Sequence, residues 1–123
     1  MSQKSSLVGD PLGLAKRLVD ALESKKADDI LLMDLREVCS FADYFILANG
    51  ASERTLEALA DEAVRTVKQS KPSSPPAVEG GSASGWILID CGDVVVHLFS
   101  SAMRKYYRLE ELWKAGQVVV HLQ

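Results

Sequence analysis

The chain has 123 residues, of which 47% are hydrophobic and 25% charged, and these proportions are typical of one soluble globular domain. No apolar run approaches the roughly 20 residues that span a bilayer, and the N-terminal stretch does not have the form of a signal peptide, so we expect a cytoplasmic location and no membrane contact. The formal net charge is −3 and the fourteen Lys and Arg residues are scattered along the sequence, which disfavours direct sequence-specific binding of nucleic acid and suits a basic protein partner.

The first half of the sequence predicts a helix, two strands and a second helix. Asp10 followed by Pro11 is typical of a helix start, and apolar residues then recur at helical spacing as far as Leu22. The apolar runs "ILLMDL" (30–35) and "YFILAN" (44–49) are candidates for neighbouring buried strands. Ser52 is the predicted N-cap of the second helix, whose apolar face extends to Val67.

The second half contains a connector, a hairpin, a helix and a tail. Residues 71–84, "KPSSPPAVEGGSAS", are rich in Pro, Ser and Gly and predict a flexible connector inside one domain. "AMRKYYRLEELW" (102–113) has helical character, and "GQVVVHLQ" (116–123) is a candidate edge strand. We therefore expect a single domain over residues 1–123, with a core at about 10–113 and a tail at 114–123.

The segment "GWILIDCGDVVVHLF" (85–99) predicts a β-hairpin whose register follows from its turn. A turn centred on Cys91 and Gly92 would place Asp90 opposite Asp93, and like charges across a strand pair are unfavourable. Gly92 and Asp93 are the better central pair, because Gly-first dipeptides suit two-residue loops. In this register one face of the hairpin is wholly apolar and belongs to the core.

The other face of the hairpin mixes large aromatic, aliphatic and polar side chains. It pairs Asp90 with Val95, Leu88 with His97 and Trp86 with Phe99. This composition leaves two interpretations open: either a helix covers the face, or its polar end stays open as a docking surface.

The sequence does not assemble a catalytic or metal site. Asp90 and Asp93 diverge across a tight turn, and adding Asp34 and Asp43 gives no metal-ligand spacing. The loop "NGASER" (49–54) offers one glycine and no following Lys, so an ordinary helix cap explains its serine. Neither histidine has a nucleophile pattern beside it, and Cys39 and Cys91 are expected to be buried thiols. We predict no catalytic residues, no metal and no cofactor.

Three segments together resemble the Iojap-like ribosomal silencing factor family. They are "ADYFILANGASERTLEALADEAV", "GWILIDCGDVVVHLF" and "RKYYRLEELW", with the motifs D-Y-F, G-D-V-V-V-H-x-F and Y-x-L-E-x-L-W in that order. The resemblance runs from about Leu14 to Trp113. Cys91 stands where the family commonly has an aromatic residue, Ala102 and Met103 replace a more acidic pair, and the connector and tail are expected to lie outside the family pattern.

The resemblance implies both a fold and a role. The implied fold is α/β, a single domain with a mixed sheet flanked by helices, similar to the nucleotidyltransferase fold without its catalytic residues. The implied role is binding to protein L-fourteen of the large ribosomal subunit, which blocks subunit association and represses translation when nutrients are scarce. The family also suggests a homodimer in isolation. The alternative is a nucleotide-binding or nucleotidyltransferase-like enzyme that holds phosphate at Ser52.

We expect a partner-binding surface, or residues that support it, on the hairpin and the last helix: Trp86, Asp90, His97, Phe99, Tyr106, Tyr107 and Trp113. Asp90 is the sharpest candidate, because it lies at the turn end of the mixed face and suits a basic group of the partner. Tyr106 and Tyr107 point about 100° apart on a helix, so at least one should be exposed. A tryptophan that closes a helix, such as Trp113, more often anchors it to the core.

Overall fold

The computed structural model describes residues 10–70, 72, 74–108, 111 and 116–123. They form an α/β domain with a mixed six-stranded sheet, as predicted. The elements in chain order are α1 (Pro11–Ser24), β1 (Asp28–Asp34), β2 (Tyr44–Asn49), α2 (Glu53–Gln69), β3 (Ala77–Gly81), a 3-10 turn (Ser82–Ser84), β4 (Trp86–Asp90), β5 (Val94–Phe99), α3 (Ser101–Tyr107) and β6 (Gln117–Leu122). The strand order is β3-β4-β5-β2-β1-β6, and the β2–β5 pair is parallel while the other neighbours are antiparallel.

Side chains fix the starts of the two long helices, and both predicted caps are confirmed. An Asp10 carboxylate oxygen accepts a hydrogen bond from the amide of Gly13 at 3.2 Å. The Ser52 hydroxyl accepts one from the amide of Thr55 at 3.1 Å. Each bond satisfies an amide that has no partner within the first turn of a helix.

Helices α1 and α2 cover one face of the sheet. Their apolar stripes lie against the alternate side chains of the central strands and close the main core. The fully buried side chains of this core include Leu18, Leu22, Leu56, Leu59, Ile30, Ile46, Ile89 and Leu98. The other face of the sheet is therefore the one that remains for a functional site.

The hairpin of β4 and β5 has the predicted register. Its pairs are Trp86 with Phe99, Ile87 with Leu98, Leu88 with His97, Ile89 with Val96, and Asp90 with Val95. The amide of Cys91 donates to the carbonyl of Val94 at 2.9 Å, which closes a turn around Gly92 and Asp93. Gly92 has a φ of +90°, a conformation that favours glycine.

One expectation about an irregular segment was wrong. The second half of the predicted connector forms strand β3, which pairs antiparallel with β4 at one edge of the sheet. The candidate edge strand in the tail is confirmed, since β6 pairs with β1 at the opposite edge. The side chains of Ala77, Val78 and Glu79 are all exposed, so β3 is stabilised by backbone pairing rather than by apolar burial.

The sequence predicted buried thiols, and both cysteines are half-buried. Burial, assisted by the charge of Asp90, raises the pKa of the Cys91 thiol to about 12, which keeps it protonated and unreactive at neutral pH. Within the described residues, none of the helices has the length and apolar character needed to cross a membrane.

Candidate functional site

The face of the sheet opposite α1 and α2 carries a continuous set of aromatic side chains. We call it the aromatic face and define it by Phe45, Trp86, His97, Phe99 and Tyr107. Strand register places Leu88, His97 and Leu47 in one row across β4, β5 and β2, and Val95 beside Phe45 in the next row. Apolar side chains of β1 and of the loop after it complete this second core: Leu31, Met33, Leu35 and Ala42.

The rings of the aromatic face pack closely around Trp86. Its ring centroid lies 4.5 Å from that of Tyr107 and 5.2 Å from that of Phe99, with the latter pair stacked. Tyr107 belongs to α3, so these contacts attach that short helix to the end of the hairpin. Aromatic pairs at such separations stabilise their contact beyond the area they bury.

His97 is the polar member of this cluster and is only 4% exposed. The indole Nε1 of Trp86 donates a hydrogen bond to His97 Nδ1 at 3.3 Å, which assigns the ring proton of the neutral imidazole to Nε2. Within the described part of the chain, His97 Nε2 has no hydrogen-bond partner. Burial lowers the pKa of His97 to about 4, so the imidazole is neutral at physiological pH and serves as a packing and orienting group.

Asp90 lies where the sequence placed it, exposed at the turn end of β4. One carboxylate oxygen accepts a hydrogen bond from the amide of Gly92 at 2.9 Å, which holds the side chain beside the turn. No ion pair joins Asp90 to any residue that the structure describes. Its charge is therefore available to a basic group from outside the molecule.

The remaining predicted site residues divide into an exposed and a buried group. Tyr106 is 76% exposed and Tyr107 is 41% exposed, which confirms that at least one of the two tyrosines is exposed, and Trp86 is half-buried. Phe99 is fully buried and His97 nearly so, which leaves neither side chain accessible to a partner. Trp113 lies outside the described residues.

One polar cluster near this face was not anticipated. The Arg104 guanidinium is buried, and its Nη1 donates to the carbonyl of Asp29 at 3.0 Å and to Asn49 Oδ1 at 2.8 Å. His121 Nε2 lies 2.7 Å from the Asp29 carboxylate, which links β6 to β1. Asp29 has a φ of +50° at a bulge in β1. The sequence carries no signal for this cluster, because its members are ordinary surface residue types and each of these contacts joins residues more than 50 positions apart.

The loop at residues 49–54, on which the nucleotide-binding alternative rests, forms a shallow depression at the start of α2 together with the 3-10 turn. Three of the serine hydroxyl groups that line this depression are already engaged within the protein. Ser52 caps α2, Ser82 donates to a Glu57 carboxylate oxygen at 2.7 Å, and Ser84 donates to the carbonyl of Gly81 at 2.8 Å. The carboxylate of Glu57 beside Ser82 would also repel a phosphate.

Carboxylates of the described residues do not form a metal site. Among these residues there is no group of three or more His, Cys, Asp or Glu side chains placed to hold an ion. Asp34 instead forms an ion pair with Arg36 at 2.7 Å. The hydrogen bond from the Arg36 side chain lowers the pKa of Asp34, which identifies this carboxylate as a structural partner of its neighbour.

Comparison with known proteins gives a consistent result. Residues 10–123 match the family model described as "Ribosomal silencing factor during starvation", so the connector and the tail lie inside the family pattern, contrary to expectation. The protein named "Ribosomal silencing factor RsfS" from Halalkalibacterium halodurans is 37% identical over 100 residues, which cover 81% of this chain and 85% of that protein. "Mitochondrial assembly of ribosomal large subunit protein 1" from Mus musculus is 36% identical over 98 residues, which cover 78% of this chain and 43% of that protein. A solved structure from Chromobacterium violaceum has a TM-score of 0.78 at 34% identity, covering 85% of this chain and 86% of its own.

Proposed function

The chain belongs to the ribosomal silencing factor family, and on this premise we propose that it represses translation by binding the large ribosomal subunit. The proposed contact is protein L-fourteen at the subunit interface, and the proposed consequence is that the small subunit cannot join when nutrients are scarce. The family match over residues 10–123 is the observation that carries this proposal. The name of the related mouse protein also refers to the large subunit.

The proposed mechanism is steric occlusion by a folded domain. A bound domain that occupies the space required by the small subunit blocks association without covalent chemistry, so neither catalytic residues nor a cofactor is required. The net charge of −3 favours attraction to a basic ribosomal protein, and the same cytoplasmic compartment would hold both partners. We propose that the free protein is a homodimer, which light scattering tests directly.

The proposed contact surface extends along β4 from Asp90 to Trp86 and continues onto α3. With a rise of about 3.3 Å per residue, the two ends of β4 are roughly 13 Å apart. A standard protein interface of about 800 Å² per partner is wide enough to include both ends. Trp86 and Tyr107 would supply apolar contact area, and Asp90 would pair with a Lys or Arg of the partner.

The charge of Asp90 provides the first test. We expect Asp90→Lys to weaken binding to large subunits at least 30-fold, because breaking a partly desolvated charge pair costs about 2–5 kcal/mol. Asp90→Asn should weaken binding less, while its amide oxygen retains the hydrogen bond from Gly92. The measurement is co-sedimentation with purified large subunits beside a thermal melt of each free variant.

Asp61→Lys is the matched control, since Asp61 is exposed on α2 and the substitution makes the same charge change. Its binding should equal that of the wild type. Wild-type affinity in Asp90→Lys would remove this residue from the interface, and equal losses in both variants would mean that only overall charge matters.

Subunit joining tests the mechanism itself. Saturating wild-type protein, with no nucleotide added, should prevent the two subunits from sedimenting together. Unimpeded joining would contradict occlusion. Calorimetric titration with nucleoside triphosphates and magnesium, expected to give no heat, tests the enzymatic alternative separately.

A further inference from the structure

The segment "RKYYR", residues 104–108, begins within helix α3 and ends at its C-cap, and it combines three cations with two aromatic rings. Lys105, Tyr106 and Arg108 are exposed, and the Tyr106 ring is the most exposed of the large hydrophobic side chains that the structure describes. Because the other basic residues are scattered along the sequence, this local group of Lys and Arg residues was not singled out from the sequence. This group of cations makes the segment locally positive, although the net charge of the chain is negative.

Arg104 and Lys105 on α3 and Arg108 at its C-cap line one open depression, together with Ser101 and with Asn49 at the end of β2. Arg104 is fixed in place by Asp29 and Asn49, whereas Lys105 has no ion-pair partner among the described residues. We call Lys105, Tyr106 and Arg108 the basic patch.

The two carboxylates at this depression do not cancel the basic patch. Asp29 is engaged by Arg104 and lies 2.7 Å from His121. Glu111 lies 3.9 Å from Arg108, and both side chains are about two-thirds exposed, so this ion pair is weak and easily exchanged. Lys105 and Arg108 can therefore turn toward an external anion at little cost.

Exposed cations beside an exposed tyrosine match the chemistry of a nucleic-acid backbone and its bases. Lys and Arg pair with phosphates, and a tyrosine ring stacks on an unpaired base or a ribose. A basic protein, the kind of partner proposed for Asp90, would be repelled by this patch. The two ends of the proposed contact surface thus have opposite charge preferences: Asp90 favours a basic protein and the basic patch favours an anionic polymer.

We propose that the basic patch contacts the phosphate backbone of ribosomal RNA next to the protein contact on the large subunit. The inference rests on the proposed function and adds a second partner to the same bound state. Lys105 and Arg108 each neutralise a phosphate, and Tyr106 stacks on an adjacent nucleotide. The contact is not sequence-specific and supplements the protein contact.

The double variant Lys105→Ala/Arg108→Asn tests the charges, and asparagine is chosen because Arg108 has a φ of +48° that asparagine tolerates. Binding to intact large subunits, measured at several salt concentrations, should weaken at least tenfold at low salt. The slope of log affinity against log salt should fall by about 1.5, close to two phosphate contacts. Affinity for isolated L-fourteen should remain within twofold of the wild type. Lys16→Ala/Lys68→Ala, with two exposed lysines removed from α1 and α2, should leave both affinities and the slope unchanged.

Hydroxyl-radical footprinting identifies the polymer. Wild-type protein should protect a segment of large-subunit RNA, and the double variant at saturating concentration should bind without protecting it. Tyr106→Ala should reduce affinity for the subunit while Tyr106→Phe retains it, since the ring and not the hydroxyl stacks.

Three results would overturn the inference. They are an unchanged salt slope in the double variant, an equal loss of affinity for isolated L-fourteen, and the absence of any RNA protection by the wild type. An equal loss on isolated L-fourteen would assign the patch to the protein interface instead. Failure of the wild type to bind L-fourteen would contradict the proposed protein contact, and the footprint would still decide the RNA contact.

Discussion

The imidazole of His97 is enclosed by aromatic rings, so adding a proton to it would place a charge where water cannot stabilise it. Its ring centroid lies 4.8 Å from that of Phe45, and its Nδ1 accepts from Trp86. Burial lowers the pKa of His97 to about 4, whereas an unfolded histidine titrates near its ordinary value of about 6.5. Between these values the unfolded chain binds a proton that the folded chain does not. Folding stability therefore falls as pH decreases through this window.

We expect His97→Gln to remove this pH dependence, because glutamine does not titrate and its amide oxygen can still accept from Trp86. The free energy of unfolding of the wild type should fall between pH 6.5 and pH 4.5 by about 2 kcal/mol more than that of the variant. Urea unfolding at the two pH values measures this difference. Equal losses in both proteins would show that another group is responsible.

Single residues also show where sequence reasoning succeeded and where it could not. Asp90 was placed correctly because its neighbours obey local rules, namely the repulsion from Asp93 and the turn preference of Gly92. Arg104 was missed because arginine is seldom buried, and its burial depends on Asp29 and Asn49, which are distant in sequence. That His97 is buried matches one of the two interpretations left open for its face of the hairpin. The alternation of side chains along a strand does not reveal what packs on either face.

At the scale of elements, strand β3 is a second feature that the sequence could not predict. Helices α1 and α2 were predictable from their N-cap residues and the periodicity of their apolar residues. The β3 sequence "AVEGG" has no hydrophobic periodicity and no buried side chain. Its pairing with β4 is made by backbone groups, which every sequence possesses. Gly80 is essential to this approach, because a Cβ there would lie 2.3 Å from the carbonyl oxygen of Trp86.

Comparing alanine substitutions at two glycines separates two causes of destabilisation, namely backbone strain and steric overlap. Gly80 and Gly92 have φ values of +81° and +90°, but a Cβ on Gly92 would meet nothing within 4 Å. Gly92→Ala should lower the free energy of unfolding by about 1–2 kcal/mol from backbone strain alone. Gly80→Ala should cost clearly more, because overlap with β4 is added. Chemical denaturation of both variants tests this order, and a harmless Gly80→Ala would mean that β3 does not pair with β4 in solution.

At the scale of the whole molecule, one sheet is shared by two cores. The core under α1 and α2 and the second core of the aromatic face lie on opposite sides of the same strands. Loss of either core removes support from the sheet that organises the other. The predicted single domain is therefore expected to unfold as one cooperative unit.

Leu18→Ala tests this cooperativity, since Leu18 is fully buried in the first core. The substitution should cost about 2–5 kcal/mol. Tryptophan fluorescence, to which Trp86 of the second core contributes, and far-UV circular dichroism should shift together to the same new midpoint. A shift in circular dichroism with unchanged fluorescence would indicate two independent units.

The pairing of β1 with β6 has a consequence for synthesis. Asp29 and His121 meet across 92 positions of sequence, so β1 leaves the ribosome long before the strand that protects its edge. Until β6 arrives, β1 offers a row of open amides and carbonyls with Leu31 and Met33 beside them, which is a template for pairing with another chain. Nascent chains that stall before β6 is made should accordingly be recovered in the aggregated fraction.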